Sequence, residues 1–504
     1  MIITMAVASQ IPALEPLPLL ACVSFIVLVL PMWWSLYNIY LHPLRKYPGP
    51  RLAASSSLYY YRWSYGGNLH AVIKQLHDQY GDVVRISPNM LVYRNPQAWK
   101  DICGHRKNGA APFIKDQEFY SESPVGHHLV STPNEADHSR IRRLLSHAFS
   151  DRALKEQEPL LQSYVDLLVS RLHEFGASPS QKPIDMTSWY NYTTFDIIGD
   201  LAFGESFNCL QSREYHPWVK TVFPTLKSAT FIRPLLIFPN QIAAMLIPQW
   251  LKEMREEAFN LASEKVRRRL SLETTRPDFI TYILRHSGER GMNLSEIQAN
   301  AGLLIIAGSE TTATLLSGCT FYLLTHPIAY KKLVTEIREA FQQESDITFL
   351  SIAKLRYLHA VLEESLRMYP PVSAILPRKV PMDGALINGQ FVPGGTSVSM
   401  AYYSAFRASS NFTDPDSFIP ERWLDDKDPR FETDKKEVLQ PFSYGPRNCL
   451  GKNLAYSELR LIVVRLFWNF DMTLAGGGDN WSDQLAYTVW EKKPLMVKLS
   501  AIHR

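Results

Sequence analysis

Phe442-Ser-Tyr-Gly445-Pro-Arg447-Asn-Cys449-Leu-Gly451 is the stretch on which the reading of this chain turns. Gly445 and Gly451 let the backbone bend close to a bound group, and a helical pattern, Lys452 to Trp468, begins directly after them. That helix N-terminus and the fixed charge of Arg447 both favour a negative sulfur at Cys449, while Phe442 offers a ring to an apolar ligand. Chemistry alone makes Cys449 a thiolate at a Gly-rich turn before a helix: a redox sensor, a nucleophile or a metal ligand. A catalytic Cys/His pair is the weaker alternative, because 14 histidines bring one nearby by chance.

Outward from that turn, helical periodicity dominates. It covers Asp137 to Arg152, Glu158 to Phe175, Trp250 to Leu272, Leu294 to Thr325, Ile328 to Gln343 and Leu355 to Tyr369. Short strand-like pieces at Asp82 to Ile86, Asn89 to Tyr93, Ala385 to Ile387 and Ser397 to Met400 are bounded by Gly, Pro and Asn. The expected fold class is mainly α with a minor β part. Size alone suggests about three domains for 504 residues, yet no repeat, low-complexity tract or Gly/Ser linker parts the chain beyond about residue 50. One large domain over 43–504 is therefore expected.

Composition excludes several classes. With 46% hydrophobic and 20% charged residues the chain is not disordered, and a net charge of +4 does not make nucleic acid the default partner. The 5 cysteines (22, 103, 209, 319 and 449) show no CxxC spacing, which points to a reducing compartment. Between Glu15 and Arg45 there is no Lys, Arg, Asp or Glu, and the apolar run Leu17 to Leu41 exceeds the roughly twenty residues that cross a bilayer. Trp33, Trp34, Tyr37 and Tyr40 mark its interfacial end, and Arg45, Lys46 and Arg51 keep the rest of the chain cytosolic. No basic segment precedes the run and no small-x-small cleavage pattern comes after it, so residues 1–42 read as a retained anchor, kinked at Pro31.

Three further patterns carry chemistry. Asn300-Ala-Gly-Leu-Leu-Ile-Ile-Ala307-Gly308-Ser309-Glu310-Thr311-Thr312 sets a carboxylate and hydroxyls into an apolar helix just after a glycine that costs about 1 kcal/mol relative to alanine. A local widening with room for water or dioxygen is the functional reading; hydroxyls bonded to carbonyls one turn back are the ordinary one. Glu364-Ser-Leu-Arg367 pairs opposite charges across one helix face, worth only about 0.2–0.5 kcal/mol if exposed. His138 and Arg142 share a face of the segment Asp137 to Arg143.

In this order, these patterns resemble the cytochrome P450 monooxygenases, whose FxxGxRxCxG loop is met at every fixed position by Phe442, Gly445, Arg447, Cys449 and Gly451. The resemblance implies that family's fold, a helical haem domain with small β-sheets preceded by one transmembrane helix. It implies haem b (iron protoporphyrin IX) as cofactor, with Cys449 as the axial thiolate ligand of its iron. Glu310 and Thr311 then match the acid–alcohol pair that delivers protons on the distal face. Glu364 and Arg367, with Arg422 of Pro420-Glu-Arg422-Trp, match the buried cluster that locks the thiolate loop. His138, Arg142, Arg378 and Arg447 are the cations expected to meet the haem propionates, although His138 stands where many members carry Trp. Phe406-Arg-Ala-Ser replaces the family's frequent His-Arg-Asp-Pro but keeps Arg407. Cys22, Cys103, Cys209 and Cys319 are expected to be packing residues.

The chain has no GxGxxG dinucleotide motif, so electrons are expected from a membrane-bound NADPH-cytochrome P450 reductase, with cytochrome b5 as a further donor. Arg140, Arg143 and Lys452 are the candidate contacts. Asn300, Leu303, Leu304, Ala307, Ser373, Ala374, Ile375 and Leu376, with Thr488 to Trp490, are the expected pocket wall, largely apolar and suited to a lipophilic small molecule. The chain is similar to microsomal members in filamentous fungi that tailor terpenoids, polyketides and alkaloids. It is expected to insert one atom of O2 into such a substrate, as a single-pass protein of the endoplasmic reticulum membrane with a cytosolic catalytic domain. A reductase-independent hydroperoxide isomerase or peroxygenase is the nearer alternative, and Glu310 with Thr311 speaks against it. A non-enzymatic membrane haem carrier or sensor is the more distant one, and it needs no proton relay.

Overall fold

The computed structural model describes residues 16–106, 109–120, 126–176, 182–237, 240–272, 276, 278–285, 291–424, 428–476 and 480–502. It is mainly helical with small sheets. The long helix Leu294–Thr325 has the predicted bounds because Asn293 and Glu296 form a reciprocal capping box at its start. Gln249–Leu270, Pro327–Ala340 and Arg356–Met368 fall within a few residues of prediction. The predicted Asp137 to Arg152 splits: Asn134 caps Glu135–Ser146, a 3-10 turn His147–Phe149 comes next, and Ser150 caps a new helix, Asp151–Phe175, which carries Pro159 inside it.

Helix Met186–Phe203 escaped the periodicity reading because nearly every residue in it is buried, so no polar face marks the helical repeat. It packs along the long helix. A Cβ on Gly308 would come within 2.6 Å of Ile198 Cδ1 on that neighbour, so Gly308 serves close helix packing. The helix runs on as regular α through Thr312 without the expected widening.

Five strands form the main sheet in the order Val83–Ser87, Met90–Tyr93, Ser397–Met400, Arg378–Lys379, Ile114–Lys115. Met90–Tyr93 and Ser397–Met400 pair in parallel, and Lys115 lies directly opposite Arg378 in an antiparallel pair. The main apolar cluster draws side chains from Leu129 through Leu499, including Cys209 and Cys319, and a second holds Cys103. Cys22 lies outside the residues whose side chains are described. The apolar N-terminal run forms the helix Pro16–Tyr40, and residues 1–15 of the expected anchor lie outside the described residues. Among the described residues one helix is long and apolar enough to cross a membrane, Leu294–Thr325, and it is a core helix buried along most of its length.

Candidate active site

A largely apolar cavity of about 300 Å³ separates the long helix from the Cys449 loop. Leu303, Leu304, Ala307, Gly308, Thr311 and Thr312 line one wall; Phe442, Ser443 and Arg447 to Gly451 line the other. Gly445 makes the loop possible: its φ is +75°, and a Cβ there would fall 1.9 Å from the Cys103 carbonyl oxygen. The turn closes with the Cys449 N–H donating to the Phe442 carbonyl at 2.8 Å. Cys449 is open to the cavity, whereas Cys103, Cys209 and Cys319 are buried in packing. Enclosure by protein raises its thiol, opposed by the Gly451 N–H and by the charges of Arg142 and Lys452. Among the described residues no cluster of His, Cys, Asp or Glu could hold a bare metal ion. A metal at Cys449 must therefore bring its other ligands with it, as a macrocycle does.

One end of the cavity gathers cations. Lys115 and His138 line it, and Arg447 enters it from the thiolate loop. Arg378 faces Lys115 across the strand pair, an arrangement of like charges that is unfavourable unless an anion joins them. Lys115 has the Tyr120 hydroxyl as acceptor at 3.1 Å, and burial, with Arg378 beside it, pushes its ammonium down to about 7. Burial and the surrounding guanidiniums push His138 down to about 3, so its ring is neutral. Glu135 is the carboxylate that answers this group, accepting from Arg447 Nε at 2.8 Å. Such an end wall, an apolar slot and a facing thiol fit a flat, apolar macrocycle with anionic substituents, which is the shape and charge of haem. Arg142 departs from expectation: its guanidinium is engaged by the Asn448 carbonyl at 2.7 Å and Asn448 Oδ1 at 2.6 Å, bracing the thiolate loop.

The distal wall also corrects the sequence reading. Thr311 faces the cavity with its hydroxyl donating to the Ala307 carbonyl at 2.6 Å, but Glu310 turns away into a buried ion pair with Lys492. Asn300 is not a wall residue; its side chain accepts from the Leu129 N–H at 2.9 Å and donates to the Glu296 carbonyl, pinning a loop to the helix. From the second residue of the proline pair onward the wall is Pro371, Val372 and Leu376. Ser373 and Ala374 instead give their carbonyls to Tyr403 and Tyr402, and Ile375 bridges Ala401. Trp490 is packed flat on Tyr369, with its indole N–H on the Pro370 carbonyl.

Behind the thiolate loop, Glu364, Arg367 and Arg422 meet as expected, all with no exposed side-chain surface. Arg367 forks onto Glu364 at 2.8 and 2.7 Å, Arg422 Nε donates to the same carboxylate at 3.2 Å, and the Trp423 indole adds a bond at 2.9 Å. Burial alone would raise the Glu364 carboxyl, but the two guanidiniums and the Ile419 N–H outweigh it and hold it below its ordinary range. Asp434, on the far side of Arg422, completes the group. Arg367 also donates to the carbonyls of Phe406, Pro415 and Ser417. Arg367 thus holds both ends of the Phe406 to Pro415 segment through their backbone carbonyls, and Arg407, kept in the segment, donates to the Met368 carbonyl and the Tyr322 hydroxyl.

Sequence reasoning missed Lys115, Asp434, Lys492 and Glu458. Glu458 sits on the helix Lys452–Asn469 with one carboxylate oxygen buried against the cavity and without a partner, and burial raises it to about 8.

The family model for cytochrome P450 matches residues 49–499. The chain is 50% identical over 471 residues to the cytochrome P450 monooxygenase astJ of Aspergillus oryzae, covering 93% of this chain and 94% of that protein. It is 48% identical over 476 residues to the cytochrome P450 monooxygenase atr2 of Stereocaulon alpinum, 94% of each chain. It is also 44% identical over 469 residues to the trichothecene C-15 hydroxylase of Fusarium sporotrichioides, 92% of this chain and 94% of that one. A match of this extent, on a chain whose cavity-facing thiol opposes Thr311, shows that the protein belongs to the cytochrome P450 family and is a haem-dependent monooxygenase.

Proposed function

We propose that Cys449 holds the haem iron, that Lys115, Arg378 and Arg447 hold the propionates beside a neutral His138, and that Phe442 packs on the ring. The supporting observation is a single cavity with the thiol on one wall, Thr311 on the opposite wall and the cations at one end. Haem bound there supplies the activation of O2 for insertion of one oxygen atom into substrate. The chain's own residues do the rest. Leu303, Leu304, Ala307, Val372 and Leu376 exclude water and orient an apolar molecule. Thr311 presents a hydroxyl to the reacting space, and Glu310, its neighbour in the helix and held by Lys492, moves protons toward it. Glu364, Arg367, Arg422 and Asp434 keep the thiolate loop in place.

The substrate in this proposal is a lipophilic fungal secondary metabolite, supported by the apolar walls and by relatives whose names include a trichothecene hydroxylase. Residues 1–42 anchor the catalytic domain 43–504 to the endoplasmic reticulum membrane, where an NADPH-dependent reductase, with cytochrome b5 as a second donor, supplies electrons. Arg143 and Lys452 are exposed near the thiolate loop and suit that docking face. Arg140 does not, since it is tied to Glu296 and the Gly291 carbonyl.

The test is expression in reductase-bearing microsomes and screening of lipophilic metabolites for spectral binding and NADPH-dependent products. The reduced, CO-bound protein is expected to show a thiolate-type Soret band that Cys449→Ser removes. Product formed from a hydroperoxide without NADPH would instead favour the isomerase or peroxygenase reading.

A further inference from the structure

Arg233 begins the 3-10 turn Arg233–Ile237 directly after the helix Pro217–Ile232. Its guanidinium carbon lies 3.7 Å from the centroid of the Phe119 ring. That ring meets Tyr120 edge-on at 4.9 Å, and Tyr120 is part of the cavity wall. The cation therefore sits one aromatic ring behind the active-site wall.

Among the described residues it has no counter-ion. Arg233 Nε is buried without a hydrogen-bond partner, and among the described residues no carboxylate pairs with Arg233. The acids of the neighbouring segment are engaged elsewhere: Lys379 reaches Glu118 at 3.0 Å and Asp116 at 3.5 Å, and Asp116 also accepts from the Ser397 hydroxyl. Besides the Phe119 ring it stacks on, the groups in its electrostatic neighbourhood are phenols. Burial lowers Arg233, and Tyr60, Tyr120 and Tyr61 are the groups that oppose the effect. Burial raises all three phenols, so they are neutral hydroxyls rather than counter-charges. Tyr120 already accepts from Lys115, which leaves its own proton free to donate.

Arg233 is partly exposed, with its Nε buried and without a hydrogen-bond partner, and a planar guanidinium with phenol hydroxyls in its neighbourhood matches a carboxylate in charge and shape. We propose that Arg233, with the hydroxyls of Tyr60, Tyr61 and Tyr120, binds the carboxylate of an acidic lipophilic substrate whose apolar body lies in the cavity. The proposal rests on the reading of that cavity as the substrate site, and it narrows the substrate class to lipophilic carboxylic acids.

The test uses the full-length holoprotein in membranes and three probe pairs: dodecanoic, 4-butylbenzoic and 1-adamantanecarboxylic acids, each beside its methyl ester. Dissociation constants are measured by equilibrium dialysis. At least one acid is expected to bind the wild type about tenfold more tightly than its ester, in line with a charge-assisted bidentate bond. Arg233→Gln should abolish that preference and leave ester affinity within about twofold, while Arg233→Lys should keep part of it. If Arg233→Gln does not accumulate, Tyr61→Phe should reduce the same preference severalfold. No acid preference in the wild type, a preference that survives in Arg233→Gln, or one left undiminished in Tyr61→Phe overturns the proposal. Failure of the underlying reading looks different: the thiolate-type Soret band would be missing, whereas a normal band without acid preference removes only the carboxylate site.

Discussion

Lys492 Nζ donates both to the Glu310 carboxylate and, at 3.1 Å, to the Thr314 hydroxyl, so the acid beside Thr311 is held in a buried ion pair. Their side chains are 5% and 8% exposed, so solvent screens the pair little. Lys492→Met leaves a buried carboxylate uncompensated, a change worth roughly 3–5 kcal/mol. The expected result is a lower thermal midpoint and more peroxide released per NADPH consumed. Adding Glu310→Gln should restore the midpoint without restoring coupling. An unchanged midpoint in Lys492→Met would mean that the two groups do not pair in solution.

Glu458 gives a pH signature with a definite sign. Burial raises its carboxyl from 4.5 to about 8. Between those values the folded chain holds a proton that the unfolded chain has released, so this group's contribution is full below about pH 4.5 and is lost as pH rises through 8. A shift of this size is worth a few kcal/mol at most. Glu458→Gln keeps the shape and cannot ionise. Its thermal midpoint should exceed that of the wild type at pH 8.5 by more than at pH 5.5; parallel midpoint curves would refute the prediction.

The proximal network should behave as one unit. Arg422 bridges Glu364 and Asp434 with no side-chain exposure on any of the three. Arg422→Met strands carboxylates in the core and is expected to cost about 3–5 kcal/mol and to lower haem retention on purification. Asp434→Asn retains Glu364 as partner and should cost less. A double variant whose loss equals the sum of the single losses would argue that Asp434 is independent of the cluster.

Legibility in the sequence tracked distance along the chain. The thiolate loop could be read because its glycines, arginine and cysteine act within ten residues, and Glu364 with Arg367 because helix spacing puts them on one face. Lys492 meets Glu310 from 182 residues away and Lys115 meets Arg378 through strand pairing, so no local spacing marks either. Gly308 was visible, but its reason was not: only the packing shows Ile198 filling the space where a Cβ would stand. Asn300 and Ser373 to Ile375 lay near the right wall, and their orientation was settled by backbone bonds to Leu129, Tyr402 and Tyr403 that a sequence does not display.

Thr311 separates binding from proton delivery. Its hydroxyl is satisfied within its own helix by the Ala307 carbonyl, so replacing Thr311 by alanine strands no buried partner and opens only the space of one hydroxyl and one methyl. Thr311→Ala should therefore leave spectral dissociation constants for substrate within about twofold and keep the thermal midpoint. Product formed per NADPH should nevertheless fall by about tenfold or more, since a positioned proton donor typically contributes about 10²–10⁴-fold. The missing electrons should reappear as hydrogen peroxide. Thr311→Ser, which keeps the hydroxyl, should recover most of the coupling. Weakened substrate binding with unchanged coupling in Thr311→Ala would make Thr311 a wall residue and leave proton delivery to another group.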